Sequence, residues 1–99
     1  MSRISNAFSG LKQRGQTGFI AYITAGDPDL ETTRALVLEL DRCGVDIVEL
    51  GVPFSDPIAD GPVNQVSAQR ALRHQVSLAD ILDLVEGLRS ETEIPLVLM

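Results

Sequence analysis

The 99-residue chain has no tryptophan and a single cysteine, and aromatic side chains make up only 4% of its residues. Cys43 cannot form an internal disulfide, and the sequence contains no Cys/His cluster with metal-ligand spacing. We therefore expect no disulfide framework, no metal site and a reducing, cytoplasmic compartment. Because aromatic residues are so few, the core is expected to be aliphatic.

Positive charge is also scarce. The chain has 8 Lys and Arg residues against 14 Asp and Glu, which gives a net charge of −6. This balance disfavours nucleic-acid binding, which needs a basic face. The apolar runs are far shorter than the about 20 residues of a membrane-spanning helix. The first residues also lack the apolar segment of a signal peptide. We expect contact with neither nucleic acid nor membrane.

Apolar periodicity predicts alternating helices and strands. Helices are expected over 3–14, 28–43, 62–74 and 78–89, and strands over 19–24, 46–51 and 96–99. The first two strands are expected to be buried on both faces. The helix stripes predict that Leu36 and Cys43 of the second helix, and Val63 and Val66 of the third, point inward.

Helix boundaries follow from capping chemistry. Gly15 and Gly44 are expected to end the first two helices. Asp27 is the expected N-cap of the second helix, with Pro28 in its first turn. Ser77 with Asp80 predicts a capping box at the start of the fourth.

Strands that alternate with helices predict a parallel α/β sheet with right-handed crossovers. An open doubly wound sheet and a closed (β/α)8 barrel both fit this order. A barrel needs about 250 residues, and three strands cannot close one. We therefore predict that residues 1–99 form the N-terminal part of a single TIM-barrel domain. This part would be an N-terminal helix followed by the first three βα units, incomplete as a barrel.

Glu49 is the residue that most strongly suggests chemistry. It interrupts an apolar strand near the carboxyl end, where parallel α/β proteins place their active sites. An unpaired carboxylate buried there would cost several kcal/mol. A general acid or base explains this position, and so does a structural hydrogen bond to a nearby loop.

The loop over 52–61 is longer than a βα connection needs and carries two further acids. Asp60 is either a second carboxylate aimed towards Glu49 or the N-cap of the following helix. Asp56 predicts a turn or, with Pro53, a contact to a partner protein. Tyr22 on the first strand either lines a pocket or fills the core.

The run from Val48 to Gly61, VELGVPFSDPIADG, closely resembles the signature of the tryptophan synthase alpha chain family. FIAYITAGDP over 19–28 resembles the first strand of that family and its following turn, and PLVLM over 95–99 also fits. The resemblance covers nearly the whole chain but only about the first third of a family member.

This resemblance implies a lyase of tryptophan biosynthesis, which cleaves indole-3-glycerol phosphate to indole and glyceraldehyde 3-phosphate without a cofactor. It implies that Glu49 is the catalytic acid and base, that Asp60 binds the indole N–H, and that Tyr22 lines the indole pocket. It also implies that Pro53 and Asp56 dock on a beta chain that carries pyridoxal phosphate, in an alpha2beta2 heterotetramer.

Two positions depart from the family pattern, Ala21 in place of a proline and Asn64 in place of an apolar residue. The chain also lacks the phosphate-binding glycines and the mobile loop of the family, so the isolated 99 residues are expected to be inactive. Two alternatives stay open. One is a non-catalytic fragment or partner-binding remnant, and the other is an unrelated small α/β domain with an acidic pocket.

Overall fold

The computed structural model describes residues 2–53, 61–73 and 75–99. These residues form four helices and three strands, in an order that matches the predicted alternation. The elements are α1 (Arg3–Arg14), β1 (Ile20–Thr24), α2 (Leu30–Arg42), β2 (Ile47–Gly51), α3 (Pro62–Leu72), α4 (Leu78–Arg89) and β3 (Leu96–Leu98).

The three strands form one parallel sheet in the order β1-β2-β3. Because neighbours in the sheet are also neighbours in the chain, right-handed crossovers place α2 and α4 on the same face. The core on that face joins Val37 of α2 and Leu88 of α4 to Val48 and Leu50 of β2. A doubly wound sheet would have helices on both faces, whereas a barrel has them only outside. The described part of the chain therefore has the layering of a barrel wall.

The helix ends follow the capping residues at most of the predicted positions. Gly15 ends α1 in the left-handed region, at φ 63°, and Gly44 follows α2 at φ 95°. Ser77 and Asp80 form the predicted capping box, in which each side chain accepts a hydrogen bond from the backbone of the other. These local signals need no tertiary contact, which is why the sequence alone reveals them.

The predicted start of α2 is wrong by two residues. Asp29, and not Asp27, is the N-cap, and its carboxylate accepts a hydrogen bond of 2.7 Å from the backbone N–H of Thr32. Pro28 accordingly lies before the helix. Asp27 does not cap because its carboxylate is held by Arg70 of α3, 43 residues further along the chain.

β2 is the central strand and is largely buried, but β1 is not buried on both faces as expected. It lies at the edge of the described sheet, and Ile20 and Tyr22 on one face are exposed.

The apolar faces of two helices, α2 and α3, are also less buried than predicted. Leu36 of α2 and Val63 and Val66 of α3 are exposed, and α3 instead buries its small side chains Ala68 and Ala71. Cys43 is exposed at the C-cap of α2 and does not pack in the core.

α1 lies at the amino ends of the strands. Leu11 is buried against Gly18, just before β1, where an added Cβ would come within 2.7 Å of the leucine side chain. Arg3 forms a 2.8 Å ion pair with Glu93, just before β3. A second small cluster, Ala25 with Val76 and Ile81, lies beyond the carboxyl end of β1. Among the described residues, no helix has the length and apolarity to cross a membrane.

Candidate functional site

Glu49 stands in the middle of a row of three side chains that crosses the sheet. The parallel register pairs it with Tyr22 of β1 and with Val97 of β3. Paired residues of neighbouring strands point to the same face, and successive residues of one strand point to opposite faces. Since Val48 and Leu50 pack in the core beneath the helices, Glu49 and Tyr22 face the other side of the sheet. In a closed barrel this face is the interior.

The surroundings of Glu49 differ from the sequence-based expectation. Its backbone lies in a buried strand, but the residue is only half-buried, because the face on which its side chain lies is opposite α2 and α4. Its carboxylate is therefore neither enclosed by apolar groups nor out in bulk solvent. Such a position suits a group that exchanges protons with a ligand on the open face.

Gly51 makes room for the ring of Tyr22. It follows Glu49 by two residues and so lies on the same face of β2. A Cβ at Gly51 would lie 2.0 Å from the Tyr22 hydroxyl oxygen and 2.6 Å from Cζ of the ring. The phenol ring therefore reaches from β1 to Gly51 of β2, at the carboxyl end of the sheet and on the face that carries Glu49. Tyr22 is 39% exposed on this face, so within the described residues it lines an opening and does not fill a core.

A cavity of about 290 Å³ opens beside Tyr22 at the end of β1. Its polar wall is formed by Thr24, Asp27, Asn64 and Ser67. Asn64, which the resemblance predicts to be a departure from the family pattern, thus lies near Tyr22, the aromatic side chain that the resemblance assigns to the indole pocket. The apolar lining comes from Ile23, Val63 and Leu36 of α2, so the cavity lies at the open edge of β1 and also reaches the side that α2 covers. The amide of Asn64 adds hydrogen-bonding groups to this lining.

The sequence analysis missed the ion pair between Asp27 and Arg70. Arg70 Nε donates to Oδ1 of Asp27 at 2.8 Å and Nη2 donates to Oδ2 at 2.9 Å. These hydrogen bonds hold the pKa of Asp27 below its usual value, although partial burial opposes the shift. The only local signal was an acid in a turn, which also fits a helix cap. The position of the Tyr22 ring had a clearer sequence signal. Gly51 lies near the end of a strand, and a glycine there often marks the close approach of another group.

The remaining predicted site residues are placed only in part. Asp60 and Asp56 lie outside the described residues. Pro53 is described and is buried, following the last residues of β2. The roles given to these residues stay predictions, and the structure brings together Tyr22 and Glu49 of the predicted set.

A sequence model of the tryptophan synthase alpha chain family matches residues 8–99. The chain belongs to the tryptophan synthase alpha chain family. The alpha chain of Geobacter sp. strain M21 is 58% identical to it over 99 residues, which are 100% of this chain and 37% of that protein. The alpha chain of Caldanaerobacter subterraneus subsp. tengcongensis is 50% identical over 97 residues, again 37% of its length.

Solved structures of the family agree with the fold. The crystal structure of tryptophan synthase subunit alpha from Legionella pneumophila str. Paris superimposes with a TM-score of 0.96 at 41% identity, over 100% of this chain and 38% of that one. Tryptophan synthase from M. tuberculosis, in an aminoacrylate-bound form, gives a TM-score of 0.89 at 34% identity, over 100% of this chain and 40% of that one. The prediction of a TIM-barrel portion is confirmed. The chain spans somewhat more than a third of the length of the relatives it matches.

Proposed function

We propose that the protein carrying this chain cleaves indole-3-glycerol phosphate to indole and glyceraldehyde 3-phosphate in tryptophan biosynthesis. The observation that carries the proposal is the position of Glu49. Its carboxylate lies near the carboxyl end of the central strand, on the face opposite α2 and α4, and in register with the single tyrosine of the chain. Membership of the alpha chain family supplies the reaction class.

In the proposed reaction, the bond between the indole ring carbon and the glycerol side chain breaks. The ring carbon takes up a proton, and the neighbouring glycerol hydroxyl loses one as it becomes the aldehyde. One carboxyl group can perform both transfers without net proton change, which is the role proposed for Glu49. Asp60 is proposed to accept a hydrogen bond from the indole N–H and to stabilise the positive charge that develops on the ring. Tyr22 is proposed to contact the indole, as its position above Gly51 allows.

The described residues supply one side of such a site. TIM barrels usually bind substrate phosphates through the loops after the seventh and eighth strands, and the described sheet has three strands. We therefore propose that activity requires the remaining length of a family member and that the 99 residues alone release no indole. Neither step assigned to Glu49 or Asp60 uses a cofactor.

A beta chain carrying pyridoxal phosphate is the proposed partner, in an alpha2beta2 assembly in the cytoplasm. Pro53 and Asp56 are proposed to contribute to this contact. Gel filtration of the protein with and without a family beta chain would test the proposal. Co-elution that is weakened by Asp56→Ala would support it, and separate elution of the two chains would contradict it.

Replacing Glu49 with Gln tests the catalytic role, because the amide keeps the size of the side chain but cannot exchange protons. We expect indole release from indole-3-glycerol phosphate to fall by roughly 10²–10⁴-fold, the usual contribution of a positioned acid or base. Glu86→Gln is a matched control, since Glu86 is exposed on α4, on the other side of the sheet. Near-normal indole release by the Glu49 variant would refute the assignment.

A second candidate, a partner-binding role without catalysis, is favoured by the exposed apolar residues on the edge strand and just before it. Phe19 and Ile20 are both exposed there. Indole release by the protein carrying this chain, abolished by the Glu49 variant, would exclude that candidate.

A further inference from the structure

The ion pair between Asp27 and Arg70 joins two segments that flank the cavity beside Tyr22. Its geometry is bidentate, with both carboxylate oxygens engaged at 2.8 and 2.9 Å. A planar guanidinium paired in this way fixes direction as well as distance. Arg70 Nη2 also lies 3.3 Å from the hydroxyl oxygen of Ser67, one turn earlier on α3.

The Asp27 side of the pair is firmly anchored. The backbone N–H of Gly26 donates to the Thr33 hydroxyl at 2.9 Å, and that of Asp27 donates to the Thr24 carbonyl at 3.3 Å. Gly26 also packs closely on Val76, where an added Cβ would lie 2.7 Å from a methyl carbon. The Asp27 side chain is only 15% exposed. The turn after β1 is therefore a fixed point to which another element can be attached.

The helix on the other side of the pair is held much less by packing. α3 buries only the small side chains Ala68 and Ala71, and its N-cap, Gly61, has no side chain to cap the helix. Val63 in its first turn is 78% exposed. Two buried alanines give little resistance to sliding or tilting, because each removes little apolar area from water. The ion pair with Asp27 fixes the orientation of α3, which this packing leaves weakly determined.

The same helix forms one wall of the cavity. Asn64 and Ser67 of α3 face the cavity together with Tyr22, Thr24 and Asp27 from β1 and its turn. A shift of α3 would therefore change the width of the opening beside Tyr22 without touching Glu49. We propose that Asp27 and Arg70 are positioning residues, which hold α3 against the end of β1 and so keep the substrate cavity at its binding width. This inference rests on the proposed function.

The kinetic test compares Asp27→Asn, Arg70→Gln and the double variant in the purified protein that carries this chain, with indole-3-glycerol phosphate as substrate. We expect each single variant to raise KM about tenfold and to change kcat by less than about threefold, because binding and not proton transfer is impaired. The double variant should be no worse than the single ones, since the two residues act as one unit. Arg70→Lys keeps the positive charge but lacks the planar guanidinium that binds both carboxylate oxygens. Its KM should therefore lie between those of wild type and Arg70→Gln.

Arg34→Gln is the matched control. Arg34 pairs with Glu91 and is exposed to a similar degree as Arg70, at 44% against 45%, but it lies between α2 and the segment after α4. Its loss should leave KM unchanged. A drop in kcat at constant KM in the Asp27 and Arg70 variants, or additive losses in the double variant, would overturn the proposal.

A structural readout separates this inference from the proposed function. Amide hydrogen exchange in α3 should speed up in Asp27→Asn and Arg70→Gln while exchange in α4 stays constant, whether or not the protein cleaves the substrate. If the wild-type protein releases no indole but α3 exchanges faster in the two variants, the proposed function fails and the role of the ion pair in holding α3 is supported. Arg70→Gln is a surface variant that should fold normally. If hydrogen exchange in α3 does not change in this variant, the ion pair does not hold α3 and the proposal is wrong.

Discussion

Adding one methyl group at Gly51 tests the arrangement of the face that carries Glu49. An alanine Cβ would lie 2.0 Å from the Tyr22 hydroxyl oxygen, whereas ordinary contacts begin at 3.4 Å. The phenol would have to move by about 1.4 Å to restore an ordinary contact. The Cζ and Cε2 atoms, at 2.6 and 3.0 Å, are also too close, so the whole ring has to swing away from β2.

The sign of the stability change distinguishes this arrangement from an open strand end. With no ring above it, Gly51→Ala should stabilise the strand by about 0.5–1 kcal/mol, because alanine loses less backbone entropy than glycine. Overpacking a filled position costs about 1–3 kcal/mol. Because three atoms of the ring are displaced, we take about 2 kcal/mol, the middle of that range, and after subtracting the alanine gain we expect a net loss of about 1 kcal/mol.

Urea unfolding of Gly51→Ala, Tyr22→Ala and the double variant measures the coupling between the two positions. In the Tyr22→Ala background the glycine substitution should become neutral or stabilising. The chain has one tyrosine and no tryptophan, so tyrosine fluorescence reports the ring position directly and should change in Gly51→Ala. Unchanged fluorescence together with equal or higher stability would show that the ring does not lie against Gly51.

The remaining predictions concern the core, a helix cap and acid stability. Leu50→Ala should reduce the free energy of unfolding in urea by about 2–5 kcal/mol, since the side chain is fully buried in the core; a loss below 1 kcal/mol would contradict that packing. Ser77→Ala should cost about 1 kcal/mol through the lost capping box, and Ser77→Asp should recover most of it. The lowered pKa of Asp27 contributes stability that is complete above the usual aspartate value of about 3.9 and is lost as the pH falls through the lowered folded value. The Arg70→Gln variant should therefore have a lower free energy of unfolding than wild type at neutral pH, and should lose less of it than wild type when the pH falls below 4. Identical dependence of stability on pH in the two proteins would argue against the ion pair.

Local signals predicted the elements well, and long-range contacts explain where prediction failed. Gly15 and the box at Ser77 act within one turn of helix, so their sequence context is sufficient. Asp27 and Asp29 are equally good caps by local rules, and the choice between them is made by Arg70, far along the chain. The exposure of Val63 likewise depends on how α3 lies across β1, which no helical period encodes.

The candidate site was predictable in its main residue and not in its surroundings. An acid in a buried strand marks Glu49 by composition alone. To predict that Tyr22 lies beside Glu49, one must know the register of β1 against β2. To predict that Gly51 accommodates the ring, one must know the path of the tyrosine side chain. Sequence periodicity predicts which face of its own strand a residue occupies, but it does not predict which residue of the neighbouring strand lies beside it.

The contacts of α1 have a consequence for synthesis on the ribosome. Leu11 can settle against Gly18 almost as soon as both are made, whereas the partner of Arg3 is 90 residues away. At a translation rate of about 5–20 residues per second, that partner emerges roughly 5–18 s later. During this interval the first helix is tethered at one end only, and Phe8, which is 52% exposed even in the folded chain, stays open to water throughout.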